Sequence, residues 1–288
     1  MGFNRAVLWA GPLLLGGILI PRSPVLAAEP VLLAEESSGF VEVDEETRVE
    51  VLAIEGEILL YGGKPGELRF HSSLTADRGD LPIALWLDDK TFRLLPVQNA
   101  PASRRVLEVG VPPGLRAVLT LSNSKITASG LQSPLELTGA KVEFQGVSLA
   151  GLTSLTLEDS KVKVREGTGG LQVHGRKVEA ELGWMAGDLS LGVKSGRIDV
   201  NEAHGAIDAD LEGCEVAISR VAGPVRVLMK GGGLVVSELA LGGDFQLAGA
   251  PLKLSKSQGP TVVETDAAFD FVDTQASLSI SASESVIH

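Results

Sequence analysis

From about residue 119 onward the chain repeats one short phrase: an apolar residue, a polar residue, an apolar residue, then a turn. The phrases fall into two interleaved series. The first reads Leu119/Leu121, Leu135/Leu137, Leu155/Leu157, Leu171/Val173, Leu189/Leu191, Ile207/Ala209, Val225/Val227, Phe245/Leu247 and Leu278/Ile280, with an ill-defined member near Val262. The second reads Ile126/Ala128, Val142/Phe144, Val162/Val164, Val178/Ala180, Ile198/Val200, Val216/Ile218, Leu234/Val236, Leu252/Leu254 and Phe269/Phe271. Steps within a series run from 16 to 20 residues and centre on 18. The residue between the two apolar ones is polar everywhere except Ala217 and Val235. Strict alternation means short strands with one face buried and one wet. Runs this short cannot be amphipathic helices, and Gly or Asn punctuates nearly every gap.

Two short strands in about 18 residues, repeated about nine times, predict a chain wound on itself. Each coil stacks on the last at the ~4.8 Å strand spacing, for a rod of roughly 40 Å. The expected fold is all-β: a right-handed parallel β-solenoid over residues 119–280, its interior filled by ladders of Leu, Val and Ile. An antiparallel β-sandwich competes, but it favours longer strands and no fixed step.

Residues 39–118 are β-rich without keeping the period. Candidate strands are Arg48 to Ile54, Glu57 to Tyr61, Glu67 to His71, Pro82 to Leu87, Phe92 to Pro96 and Val106 to Val111, with a hairpin turn at Asp88-Asp89-Lys90. A solenoid needs an atypical terminal unit over its end rung, and this segment is the expected cap, continuous with the solenoid. Residues 29–38 read as a flexible lead-in and 281–288 as a polar tail.

The N-terminus carries a targeting pattern. Arg5 precedes an apolar stretch from Ala6 to Ile20, and Val25-Leu26-Ala27 and Leu26-Ala27-Ala28 offer small-residue cleavage sites. Residues 1–28 therefore read as a signal peptide, implying export to the periplasm or cell surface. Pro21-Arg22 breaks the apolar run short of the ~20 residues that span a bilayer. Arg22 keeps the alternative of an uncleaved anchor open. After cleavage nothing marks an integral membrane protein.

Composition narrows the function classes. Aromatics are 4% against 44% hydrophobic residues, so aliphatic side chains must do the packing. The net charge is −12, or −14 once residues 1–28 are removed, which disfavours nucleic acid and anionic lipid as partners. A single cysteine, Cys214, rules out an intrachain disulfide framework and reads as a buried small hydrophobe.

The motif Val51-Leu52-Ala53-Ile54-Glu55-Gly56-Glu57-Ile58, then Leu107-Glu108-Val109-Gly110-Val111-Pro112-Pro113-Gly114, then the Gly-punctuated coils, resemble the bacterial putative-adhesin domain family of exported β-solenoids. The likeness spans roughly residues 39–280. Its repeats often carry a Ser/Thr-Gly-Ser-Gly-Asp-Ile turn, matched here only by Ser195-Gly196-Arg197-Ile198. The resemblance implies an envelope location and an adhesive or structural role, and supplies no catalytic residue.

Candidate chemistry is sparse. Polysaccharide lyases and hydrolases on such folds place carboxylates and bases along one outer face. The outward positions here offer Asp199, Asp208, Asp210 and Glu212, with Asp208 stacked between Ser190 and Arg226. No long loop supplies a cleft, so a solvated polar face is the preferred reading. Asp208 to Gly213 lacks calcium-loop spacing. His71, His174, His204 and His288 are scattered, with His174 and His204 placed at turns. Gly231-Gly232-Gly233 reads as a tight corner and not a phosphate loop. Asp44-Glu45-Glu46 is a solvated turn, and Trp86 and Trp184 are core or cap residues or sugar platforms. No catalytic, cofactor or metal residue is assigned. The expected function is a non-catalytic exported envelope protein, an adhesin or a structural scaffold, whose partner is a cell-surface glycan or protein or a second copy. The alternative is a glycan-binding or polysaccharide-active solenoid.

Overall fold

The computed structural model describes residues 31–44, 47–52, 55–74, 83–88, 90–96, 105–273, 275 and 277–282. These residues form strands and no helix. The signal peptide expected at residues 1–28 and most of the tail expected at 281–288 lie outside them.

In chain order the strands begin with β1 (Val31–Glu36), β2 (Ser38–Glu42), β3 (Arg48–Leu52), β4 (Gly56–Gly62), β5 (Glu67–Leu74), β6 (Ile83–Asp88), β7 (Thr91–Pro96) and β8 (Arg105–Val111). Next come β9 (Arg116–Ser122), β10 (Ser124–Ser129), β11 (Leu135–Ala140) and β12 (Glu143–Leu149). Five long strands follow: β13 (Thr153–Gly167), β14 (Leu171–Met185), β15 (Leu189–Ala203), β16 (Ile207–Val221) and β17 (Val225–Leu239). The chain ends with β18 (Gly243–Ala248), β19 (Leu252–Ser255), β20 (Thr261–Thr265), β21 (Phe269–Val272) and β22 (Leu278–Ala282).

From β9 to β22 every pairing is parallel and in register, so the predicted β-solenoid is the fold. The register keeps a step of 18: Leu119 lies over Leu137, then Leu155, Val173, Leu191, Ala209, Val227, Phe245 and Val263. The steps of 16 and 20 read from the sequence are slips by one inward position. Each straight run has three inward positions, and the apolar pair shifts between them where one is small or polar, as at Gly139 and Thr153. The ill-defined member near Val262 is β20. Its inward residues are Thr261, Val263 and Thr265, all buried, while Val262 faces out.

Each coil bends at two left-handed residues, and both recur every 18 residues. The first corner runs Asn123, Lys141, Asp159, Lys177, Ser195, Gly213, Gly231 and Gly249, with φ from 49° to 67°. The second runs Gly130, Ser148, Glu166, Trp184, Glu202, Arg220, Glu238 and Lys256, with φ from 48° to 69°. These corners divide a coil into a first face (189–194 in β15) and a second face (196–201). A short turn closes the coil at Gly151, Gly169, Gly187, Gly205 and Gly223. There glycine is required for space: a Cβ on Gly205 would lie 2.5 Å from the carbonyl carbon of Gly187 in the coil beneath.

The core is a set of ladders. Ile126, Phe144, Val162, Ala180, Ile198, Val216, Leu234, Leu252 and Phe269 stack through the second face, all buried. Burying each Leu, Ile or Phe side chain stabilises by about 1.5–3 kcal/mol. A rung's inward side chains are roofed above and below by those of its neighbours, so much of this energy arises from stacking.

The N-terminal region is joined to the repeats by strand pairing. β3 and β4 form a coil of the solenoid: Arg48 pairs with Arg116 and Gly56 with Ser124, both in parallel. On their other side β3 and β4 pair in parallel with β7 and β8. The chain therefore lays down one coil, leaves the stack, and returns to insert β7 and β8 against it. Antiparallel strands then close this end, β6 and β1 beyond β7, and β5 and β2 beyond β8. β6 and β7 pair antiparallel, with Asp88 opposite Thr91, and Asp89 of the expected hairpin turn lies outside the described residues. Residues 31–36, expected as a flexible lead-in, are β1: the alternating edge of β6 gives their backbone a partner. The stack from β1 to β22 is roughly 60 Å at ~4.8 Å per strand, longer than the repeat alone indicated.

Candidate functional site

The outward side chains form columns, one residue per coil. On the second face one column reads Glu57, Lys125, Glu143, Lys161, Glu179, Arg197, Glu215, alternating in sign at every step. Ion pairs join adjacent coils within it, Lys125 to Glu57 at 3.3 Å and Lys161 to Glu179 at 2.8 Å. The Glu179 hydrogen bond holds the Lys161 ammonium above its usual range. In the next column Lys163 pairs with Glu181, and that hydrogen bond draws the Glu181 carboxyl down. Like charges directly opposite are destabilising in a ladder, and the alternation avoids them along the Glu57–Glu215 column.

The carboxylates singled out as candidate acids do not converge. Asp199 lies on the second face, where Arg197 reaches it at 3.0 Å and is itself held high by that hydrogen bond. Asp208, Asp210 and Glu212 lie on the first face. Asp208 is the in-register neighbour of Ser190 and Arg226, as the spacing predicts. Glu212 pairs with Lys194 at 3.2 Å. Asp210 and Glu212 border an open groove of about 770 Å³ with Lys230, Glu264 and Asp266. Asp266 accepts a hydrogen bond from the Gly249 amide at 2.5 Å, which ties it to the corner. Among the described residues no group of three His, Cys, Asp or Glu side chains is placed to hold a metal.

Cys214 is fully buried, in the inward column just past the first corner. Its Sγ lies 3.5 Å from the Glu212 carbonyl, and burial pushes the thiol up. Ser124 and Ser160 occupy the same column and donate to the carbonyls two residues earlier, at 2.8 and 2.7 Å. At these three positions a small donor caps the left-handed corner from inside, while Val178, Gly196 and Gly232 occupy the same column without one.

The histidines stand apart. His71 is in β5 between Ser38 and Glu108. His174, expected at a turn, is inside β14 on the first face, with its ring over Gly192: a Cβ there would meet Nδ1 at 2.3 Å. The absence of a side chain one coil on is what admits the imidazole. His204 does lie in the closing turn, edge-on to Trp184 with ring centroids 6.1 Å apart. His288 and residues 45–46 are outside the described set, and Asp44 accepts the Thr47 hydroxyl at 2.6 Å. Gly231 and Gly232 have φ of 67° and 87° and form the corner expected of them. Trp86 is half-buried in β6, opposite Leu32 and Arg93.

The second groove was missed by motif reasoning. About 310 Å³ in volume, it runs beside the second corner and is bordered by Gln132, Ser148, Ala150, Glu166, Thr168 and Trp184. Ser148 donates to Glu166 at 2.8 Å. Its residues are far apart in sequence, and only the 18-residue step brings Gly130, Ser148, Glu166 and Trp184 into one line.

No protein-family model and no curated protein matches the chain. The likeness of its N-terminal motifs to the adhesin-domain family thus stays a resemblance. Among solved structures the chain is similar to a "putative cell adhesion protein from Clostridium sporogenes ATCC 15579", with 15% identity and a TM-score of 0.31. The likeness covers 62% of this chain and all of the other, and at that score it bears on neither ligand nor partner.

Proposed function

We propose that this protein is a non-catalytic component of the cell envelope: an exported rod that binds or scaffolds through its outer faces. One observation carries the reading. Charged side chains on both faces lie in open, unroofed columns, and several are paired across coils, as in Lys161–Glu179 and Lys194–Glu212, although Arg176 stacks on Lys194 and Glu181 on Asp199. Acid–base catalysis calls for two groups at a set separation in a site that excludes water. Asp199 and Asp208 lie on different faces, and the groove beside Asp210 is open. A stack of continuous ladders suits the opposite task, holding many side chains at a fixed 4.8 Å spacing for a partner that repeats.

The partner is a surface glycan, a surface protein or a second copy of the chain. The test presents the full chain to arrayed glycans and peptidoglycan fragments, with light scattering and cell fractionation in parallel. The expected result is envelope localisation with saturable binding or concentration-dependent assembly, and no new reducing ends. Steady release of reducing ends from any polysaccharide, or retention in the cytoplasm, would overturn the proposal.

A further inference from the structure

Trp184 breaks the pattern of its own column. Every other residue at the second corner from Gly130 to Lys256 is glycine, serine or charged. A bulky side chain at positive φ is a costly choice, and Trp184 adopts φ 48° while 42% exposed. Core packing does not account for it. The side chains on the N-terminal side of Trp184 shrink, with Gly130 and Ala150 leaving the depression that the indole walls off. A Cβ on Gly130 would meet nothing within 4 Å. On the other side His204 packs edge-on against the indole and fixes its position.

We infer that this groove is a saccharide subsite, taking a neutral pyranose stacked on Trp184 with its hydroxyls on Glu166, Gln132 and Thr168. The aromatic wall suits the C–H face of a sugar ring. Glu166 is oriented by Ser148 and accepts hydrogen bonds from hydroxyl donors, while Gln132 and Thr168 both donate and accept. No basic residue borders the groove among the described residues, and Glu166 repels an anion, so uronic acids, sulfated sugars and phosphates are excluded as ligands. The line from Gly130 to Trp184 crosses three coil steps, roughly 14 Å, so more than one ring fits along it. Its volume is near the lower end of ligand sites, about 300 Å³. The site deepens the binding role proposed above and rests on it in one respect, that the partner is a glycan.

The test is calorimetric titration of the full chain with chitotetraose, cellotetraose and maltotetraose, with saturation-transfer spectra and a reducing-end assay on the same samples. At least one of the three binds. Trp184→Ala weakens that binding by about tenfold or more, Trp184→Phe largely restores it, and Glu166→Gln weakens it by about threefold to tenfold. Circular dichroism and thermal melting show each variant folded, as corner residues on the outer surface allow. No binding of any tetrasaccharide below about 10 mM, or undiminished binding by Trp184→Ala, overturns the site. So does Trp184-dependent binding of tetramethylammonium in place of the sugars. Trp184-dependent binding with release of reducing ends upholds the site and overturns the non-catalytic reading. Envelope localisation without sugar binding does the reverse.

Discussion

Gly205→Ala tests whether the glycine column of the closing turn sets how closely the coils approach. Gly205 does not have a left-handed φ, so the substitution acts through space. The added Cβ would sit 2.5 Å from both C and O of Gly187 and 2.8 Å from the amide nitrogen of Asp188. All three atoms are backbone, and none can swing aside. Ordinary contact begins near 3.4 Å, so the two coils must part locally by about 0.9 Å. Two backbone–backbone hydrogen bonds cross at this point, His204 N to Met185 O at 2.7 Å and Leu189 N to Ala206 O at 2.8 Å. Lengthening both past hydrogen-bond range costs about 1 kcal/mol each, and overpacking adds about 1–3 kcal/mol. Alanine also lowers the entropy of the unfolded chain, offsetting about 0.5–1 kcal/mol. The net loss is about 3 kcal/mol. Gly130→Ala is the matched control. Its Cβ meets nothing within 4 Å, so only the left-handed φ of 61° is penalised, by about 1 kcal/mol before the same offset. Guanidinium unfolding of the full chain, followed by circular dichroism and by fluorescence, reads the difference. Two probes are needed because stacked arrays can unfold in parts. Gly205→Ala should lower the midpoint well below that of Gly130→Ala. Equal midpoints would refute the idea that this column sets the coil spacing.

Cys214→Ser should change stability by less than about 1 kcal/mol, because Ser124 and Ser160 fill the same column with the same hydrogen bond; a loss of cooperative melting would contradict this. The Cys214 thiol should resist Ellman's reagent until the chain unfolds. Its folded pKa is raised, so its contribution is fully present below the unfolded value of about 8.5 and declines as pH rises through the folded value; Cys214→Ser should flatten that decline. Lys161→Glu places an acid between Glu143 and Glu179, and its melting temperature should fall in about 10 mM salt and recover much of the loss near 1 M. Phe144→Ala removes one of the largest fully buried side chains and should cost about 3–5 kcal/mol by denaturant titration.

The coil was legible in the sequence because its alternation is local. Leu155, Thr156 and Leu157 declare one buried face whatever they stack on. The register was less legible, because each run has three inward positions and composition alone does not say which are filled. Gly139 and Thr153 blurred it by placing a small and a polar residue inside. The corner positions carry the cleaner period, but their common property is a backbone angle shared by Lys141, Asp159 and Ser195, which are not glycine. Asp199 and Asp208 fall in different apolar series, and a corner at Glu202, with its left-handed φ, and the closing turn put them on separate faces. The groove at Trp184 stayed hidden for the converse reason: its residues are near in space only through the stack. In the N-terminal region the individual strands were readable, but their order was not. The partners of β3 come from residues 91–94 and 116–120, and no local pattern in residues 48–52 points to either.

That interleaving sets a schedule for the chain as it is made. β3 and β4 leave the ribosome early, yet the strands on either side of them are the last of the N-terminal region to be synthesised. Until residues through Ser129 have emerged, the apolar inner surface of that first coil has no complete cover. Contacts between residues so far apart in sequence form slowly, since loop closure must come first. The long strands β13 to β17 need only the preceding coil, about 18 residues back, to pair. Pairing along the middle of the rod is therefore local, whereas β3 and β4 wait for strands about 40 to 70 residues further on. Through that wait the β3–β4 segment is open to a chaperone, a protease or another unfinished copy.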